Sequence, residues 1–177
     1  MPKLAMMRCC SRLLVVGLAG MLLAGSPARA AGTAGEHVVR AALLFNFLKF
    51  TEWPAGALGQ THLQICVASG DNELLAAIEK LNARQLHGRS LLVTRYQPQT
   101  ACDVLYIDGR QRWTGLSGRG AAVLTVADFR GFAEEGGMIE ISLHEGASRF
   151  VINLAEARRA GLRFYPQMLK LARRVIE

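Results

Sequence analysis

The chain has 177 residues and carries 21 Lys and Arg against 14 Asp and Glu, a formal balance of +7. Four of the basic side chains and none of the acidic ones lie between Met1 and Ala30, so the rest of the chain carries 17 basic against 14 acidic groups, or +3. That length predicts one domain able to bury a core, and that charge is too modest to point to a nucleic-acid partner.

The stretch from Met1 to Ala30 reads as a secretory signal peptide. Lys3, Arg8 and Arg12 give a positive start, an uncharged apolar run follows from Leu13 to Ala24, and Gly25, Ser26 and Pro27 break it. Ala28-Arg29-Ala30 then supplies a small-x-small cleavage pattern, placing the cut after Ala30 and marking the chain for export. The alternative, a membrane anchor, asks too much of a run so short. Cys9 and Cys10 precede the apolar run, which argues against a lipoprotein box, and they leave with the leader. Cys66 and Cys102 remain, an even pair in an oxidising compartment, and a disulfide is the expected state; two buried free thiols are the alternative.

Residues 31–35 are small and read as a flexible mature N-terminus, ahead of a single domain over 36–177. Residues 36–51 have no helix breaker and read as a helix buried on more than one side, ended by Trp53-Pro54. His62–Ala68 has the length of an apolar strand. Asp71 can cap the following helix, whose stripe is Leu74, Leu75, Ile78 and Leu81. Residues 89–96 and 102–107 read as strands, 111–116 as a short helix weakened by glycines, and 122–126 as a strand closed by Asp128.

Two alternating runs, with Ile139, Ile141 and Leu143 in one and Phe150 and Ile152 in the other, flank Glu145-Gly146-Ala147 and predict a hairpin. Residues 154–160 read as a short helix stopped by Gly161, and Pro166 opens a last helix whose stripe, Met168, Leu171, Ala172 and Val175, runs to the end. The order predicts an α/β fold: one domain, a mixed and mostly parallel sheet with an antiparallel hairpin, and helices on both faces.

Catalytic chemistry is hard to assemble from this sequence. His37, His62, His87 and His144 are scattered, with no ligand spacing for a metal. Gly115-Leu116-Ser117-Gly118 has its first glycine one position early for a nucleophile elbow, and Gly118-Arg119-Gly120 precedes a strand where a phosphate loop needs a helix. Glu134-Glu135 reads as solvated loop acids. No enzyme and no cofactor are expected. Binding character gathers at two places. Phe45, Phe47, Phe50 and Trp53 form an aromatic cluster, mostly core by type, with Trp53 in the exit turn as the ring that packing explains least. Arg163-Phe164-Tyr165 sets an arginine beside aromatics just before a helix start, a combination that holds anions or flat rings.

The run Ala41-Ala42-Leu43-Leu44-Phe45-Asn46-Phe47-Leu48-Lys49-Phe50-Thr51-Glu52-Trp53-Pro54 resembles the opening of the YfiR-like periplasmic proteins. So do Leu63-Gln64-Ile65-Cys66-Val67, Cys102-Asp103-Val104-Leu105-Tyr106-Ile107, Gly136-Gly137-Met138-Ile139 and Ala157-Arg158-Arg159-Ala160-Gly161-Leu162, in order along the chain. The resemblance implies a small periplasmic α/β domain that binds the periplasmic sensor region of a membrane-anchored diguanylate cyclase and lowers cyclic di-GMP in the cell, under redox control. Some relatives carry a second disulfide near the late hairpin, where this sequence has no cysteine.

Trp53, Arg163 and Tyr165 are the candidate residues for that partner or for a small ligand. The second reading is a periplasmic small-ligand-binding domain linked to an outer-membrane receptor or transporter, and a secreted enzyme is the third. A second copy of the chain, giving a homodimer, is a further candidate partner.

Overall fold

A computed structural model describes residues 28–58, 61–114, 122–144 and 147–177. In chain order these form helix α1 (Ala28–Lys49), strands β1 (Thr51–Glu52) and β2 (His62–Ala68), helix α2 (Asn72–Glu79), and strands β3 (Gln85–Leu86), β4 (Arg89–Arg95) and β5 (Val104–Ile107). Helix α3 (Arg110–Thr114), strands β6 (Leu124–Ala127), β7 (Ile139–His144) and β8 (Ala147–Asn153), and helix α4 (Leu154–Arg159) follow. Strand β9 (Arg163–Phe164), helix α5 (Pro166–Leu171) and strand β10 (Arg174–Ile176) complete the chain.

Eight strands share one sheet in the order β10-β8-β7-β6-β5-β2-β4-β3. The run β4-β2-β5-β6-β7 is parallel throughout, β10 pairs parallel with β8, and β7–β8 and β3–β4 are antiparallel. The expected mixed, mostly parallel α/β domain is therefore the fold observed. Side chains that alternate along each central strand split into two cores. Leu63, Ile65 and Val67 of β2 join Val104 and Tyr106 of β5 and Leu124 and Val126 of β6 on one face. Cys66, Ala68, Leu105, Ile107 and Ala127 fill the other. Strands that are apolar on both faces must be covered on both. Leu44, Phe47 and Leu48 of α1 with Leu74, Leu75 and Ile78 of α2 cover the first face. Phe132, flanked by Trp113 of α3 and by Phe129, covers the second.

The expected cap is present: the Asp71 carboxylate accepts the backbone N–H groups of Glu73 and Leu74 at the start of α2. The hairpin also forms in the expected register. Ile141 lies opposite Phe150 and Ile139 opposite Ile152, all four buried in the first core, with Leu143 packed at its margin. Its tip, residues 145 and 146, lies outside the described residues, as do the glycine-rich segments at 115–120.

Four expectations need correction. Helix α1 begins at Ala28, so residues 31–35 belong to it and are not an unstructured lead-in. It ends at Lys49, ahead of Trp53-Pro54, because Thr51 and Glu52 pair antiparallel with Phe164 and Arg163 in a separate two-stranded ribbon. Strand β3 is not predicted by the sequence pattern; it turns into β4 through His87 and Gly88, both at positive φ (50° and 75°), as a tight two-residue hairpin turn requires. The last helix stops at Leu171: Ala172 leaves helical geometry, the Arg173 N–H donates to the Phe150 carbonyl, and Arg174–Ile176 adds a strand to the sheet edge beside β8.

Candidate functional site

The exit of α1 is tied down by three bonds. The Phe50 N–H donates to the Asn46 and Phe47 carbonyls, and the Thr51 hydroxyl donates to the Phe47 carbonyl at 2.7 Å. These close the helix end and aim the chain into β1. From the other side, Tyr165 donates its backbone N–H to the Phe50 carbonyl and stands as the N-cap residue of α5, with Pro166 at the first helical position. The β1–β9 ribbon thus joins the front of the chain to a segment near its end, with Glu52 opposite Arg163.

Trp53 follows Glu52 directly. It is half-buried against the first core, and its indole N–H is buried without an acceptor among the described residues. Tyr165 is 38% exposed and packs edge-on to Phe50, with ring centroids 6.5 Å apart. Its phenol hydrogen-bonds the Glu52 carboxylate, and that bond, with the negative charge behind it, holds the phenol above its ordinary pKa, against a smaller opposing pull from Arg163. Trp53, Pro54, Leu58, Glu52, His87, Arg89 and Tyr165 line a cleft of about 330 Å³. The structure therefore brings Trp53 and Tyr165 together as two walls of one cleft. Arg163 lies next to them on the ribbon, exposed, but does not line the cleft.

Residue spacing did not bring Glu52, His87 or Arg89 to the site. His87 belongs through its turn: its Nε2 lies 3.2 Å from the Leu48 carbonyl. A carbonyl only accepts, so Nε2 carries the proton, and the bond pins the β3–β4 turn against the end of α1. Arg89 reaches back to the His87 carbonyl. The sequence signal for this turn is the pair His87-Gly88 between Leu86 and Arg89, a weaker sign than Asn-Gly.

The other expected aromatics mostly pack. Phe47 is buried edge-on to Phe150 at 5.0 Å, and Phe45 is half-buried under the Arg84 guanidinium, 4.3 Å from its ring centre. Cys66 and Cys102 form a disulfide, with Cα atoms 5.8 Å apart.

The chain is similar to two solved structures at the level of 14% identity. One is a conserved domain protein from Vibrio cholerae O1 biovar El Tor, matched over 78% of this chain and 60% of that one with a TM-score of 0.47. The other is the ABC domain from Streptococcus pneumoniae in complex with L-Trp, matched over 66% of this chain and 56% of that one with a TM-score of 0.40. The chain thus spans less than two thirds of either. The family comparison is broader: the model described as YfiR/HmsC-like matches residues 37–173, and the chain belongs to that family.

Proposed function

We propose that this member of the YfiR/HmsC-like family is an exported, non-enzymatic regulator. It binds the periplasmic sensor region of a membrane-anchored diguanylate cyclase and represses it, lowering cyclic di-GMP in the cell. The observation that carries the reading is the family match, which spans both strands of the β1–β9 ribbon and reaches into all five helices. The family suggests a periplasmic regulator of such cyclases. Export uses the leader of residues 1–30, and cleavage after Ala30 removes only the first three residues of α1. Among the described residues no helix is long and apolar enough to cross a membrane, so contact with an anchored cyclase falls to the folded domain.

Trp53, Tyr165 and Arg163 supply the grip. Aromatic and arginine side chains dominate interface energetics because they join apolar area to polar reach. The Trp53 ring, half-buried on the cleft wall, offers apolar area to a partner. Deleting the gene should raise cyclic di-GMP, and the tagged protein should capture a membrane diguanylate cyclase from envelope extracts. Unchanged cyclic di-GMP in the deletion strain would end this reading.

The cleft of about 330 Å³ favours a second reading, a small-ligand-binding domain serving an outer-membrane receptor or transporter. In that case the deletion leaves cyclic di-GMP alone, and the phenotype is loss of uptake.

A further inference from the structure

A larger cleft lies away from the β1–β9 ribbon. It has a volume of about 650 Å³ and lies along β7 and β8, beside the loop that follows the carboxyl end of β6. Its wall is built by buried polar contacts. The Glu140 carboxylate, 7% exposed, accepts the backbone N–H groups of Gly131 and Ala133 and pins the loop after β6 against the sheet. The Asn153 amide donates to the Ala133 carbonyl from the opposite side. At the inner end Arg40 meets Asp128 at 2.8 Å, and the buried Tyr106 hydroxyl donates to the same carboxylate.

Five arginines and three carboxylates line this cleft. The carboxylates are all engaged. Asp128 is taken by Arg40, Glu134 by Arg174, and Glu140 by the loop N–H groups. Arg130, Arg149 and Arg173 are left, exposed and with no side-chain partner among the described residues. Three uncompensated guanidiniums around one concavity repel each other, and an anion placed among them relieves that repulsion. Planar guanidiniums match phosphate oxygens two at a time. The concave shape and volume suit a small ligand better than a flat protein surface does.

We infer that this cleft binds a small, multiply charged phosphate-bearing ligand, either free or as a lipid head group, held by Arg130, Arg149 and Arg173.

The test is calorimetric titration of the purified protein with pyrophosphate, alongside flotation with vesicles of phosphatidylglycerol in phosphatidylcholine. Binding of pyrophosphate, of the vesicles, or of both supports the inference if Arg130→Gln with Arg173→Gln weakens it roughly tenfold or more, as loss of charge-assisted bonds requires. Binding of pyrophosphate alone identifies a free ligand; binding of vesicles identifies the head group. Lys80→Gln with Arg158→Gln removes the same charge at exposed positions outside the cleft and should leave binding intact. All four substitutions are at exposed residues, and matching thermal melts confirm that folding is preserved. Equal loss in both double variants, or no binding of either probe, would overturn the inference.

Discussion

Cys66 and Cys102 are bonded across two strand regions that are already neighbours: Cys66 lies within β2, and Cys102 stands two residues ahead of β5, which pairs with β2 in parallel. Two bonds between one neighbouring pair, Asp103 N–H to the Gln64 carbonyl and Gln64 N–H to the Asp103 carboxylate, hold the same junction. The disulfide is therefore a staple in the sheet, and its effect falls mainly on the unfolded chain. With the cysteines 36 residues apart, closing that loop restricts the unfolded ensemble by about 3–4 kcal/mol on the chain-entropy view. Reduction, or Cys66→Ala with Cys102→Ala, should lower stability by about 2–4 kcal/mol, read as a shift in the denaturant midpoint. Coincident melts of oxidised and reduced protein would remove any structural role for the bond.

Ile141 is 1% exposed and faces Phe150 across the hairpin. Ile141→Asp places a carboxylate in the first core with no cationic partner, and the loss should be about 4 kcal/mol or more, enough to prevent accumulation of folded protein. Ile141→Val should cost only about 0.5–1.5 kcal/mol. Similar denaturant midpoints for the two variants would mean that the strand does not hold this register.

Gly137 and Phe132 meet without room for a methyl group. A Cβ at Gly137 would lie 2.2 Å from the Phe132 ring, which is fully buried between Trp113 and Phe129 and cannot yield. Gly137→Ala should cost about 1–3 kcal/mol through forced repacking of the second core, and should perturb the near-ultraviolet signal of Trp113. An unaltered melt and spectrum would contradict the close approach.

Why some elements were legible and others were not follows from length and from who supplies the stabilisation. His62–Ala68 declares itself as a seven-residue apolar run and the hairpin as two alternating arms, because six or seven residues are enough for either pattern to register. Strands β1, β9 and β10 have two, two and three residues, too few for any period, and each exists because a distant segment pairs with it. The stripe from Met168 to Val175 is helical in spacing, yet Val175 is claimed by the sheet edge beside Ile152, a tertiary override of local pattern. The proximity of Trp53 to Tyr165 has the same origin. Residue type marks both, but only the unforeseen ribbon joins them, and Glu52 escapes notice because its role depends on that pairing.

Asp71 offers a prediction with a pH sign. Its carboxylate accepts the N–H groups of Leu74 and Glu73 and lies 3.3 Å from His37 Nε2; the Leu74 N–H bond is the largest cause holding its pKa below the ordinary value. A carboxylate lowered in the folded state adds stability above its unfolded pKa and loses it as the pH falls through its folded pKa. Asp71→Ala should cost about 1 kcal/mol near neutral pH, mostly as a lost cap, since the side chain is 41% exposed and its charge is screened. The gap between wild type and variant should narrow as the solution is acidified below the normal aspartate range. Denaturant midpoints across an acid series check this; a gap that stays constant would show that the carboxylate's charge plays no part.

The proposed binding surface, as distinct from the regulatory reading, stands or falls on the ribbon that carries Trp53, Arg163 and Tyr165. Trp53 and Arg163 are half-buried and exposed respectively, so alanine at both removes contact area without opening the centre of either core. Truncating two interface anchors typically costs binding about 2 kcal/mol or more each, a loss of roughly a thousandfold in affinity if the two act independently. Trp53→Ala with Arg163→Ala should therefore fold and reach the periplasm yet fail to hold the cyclase. Cyclic di-GMP should then rise several-fold, towards the level of the deletion strain. The arginine-lined cleft is a separate site, so Arg130→Gln with Arg173→Gln should leave capture of the cyclase intact. Full repression by a folded, exported Trp53→Ala, Arg163→Ala protein would move the cyclase-binding surface off the ribbon. Loss of repression with capture intact would mean that the ribbon transmits inhibition and the affinity resides on another face.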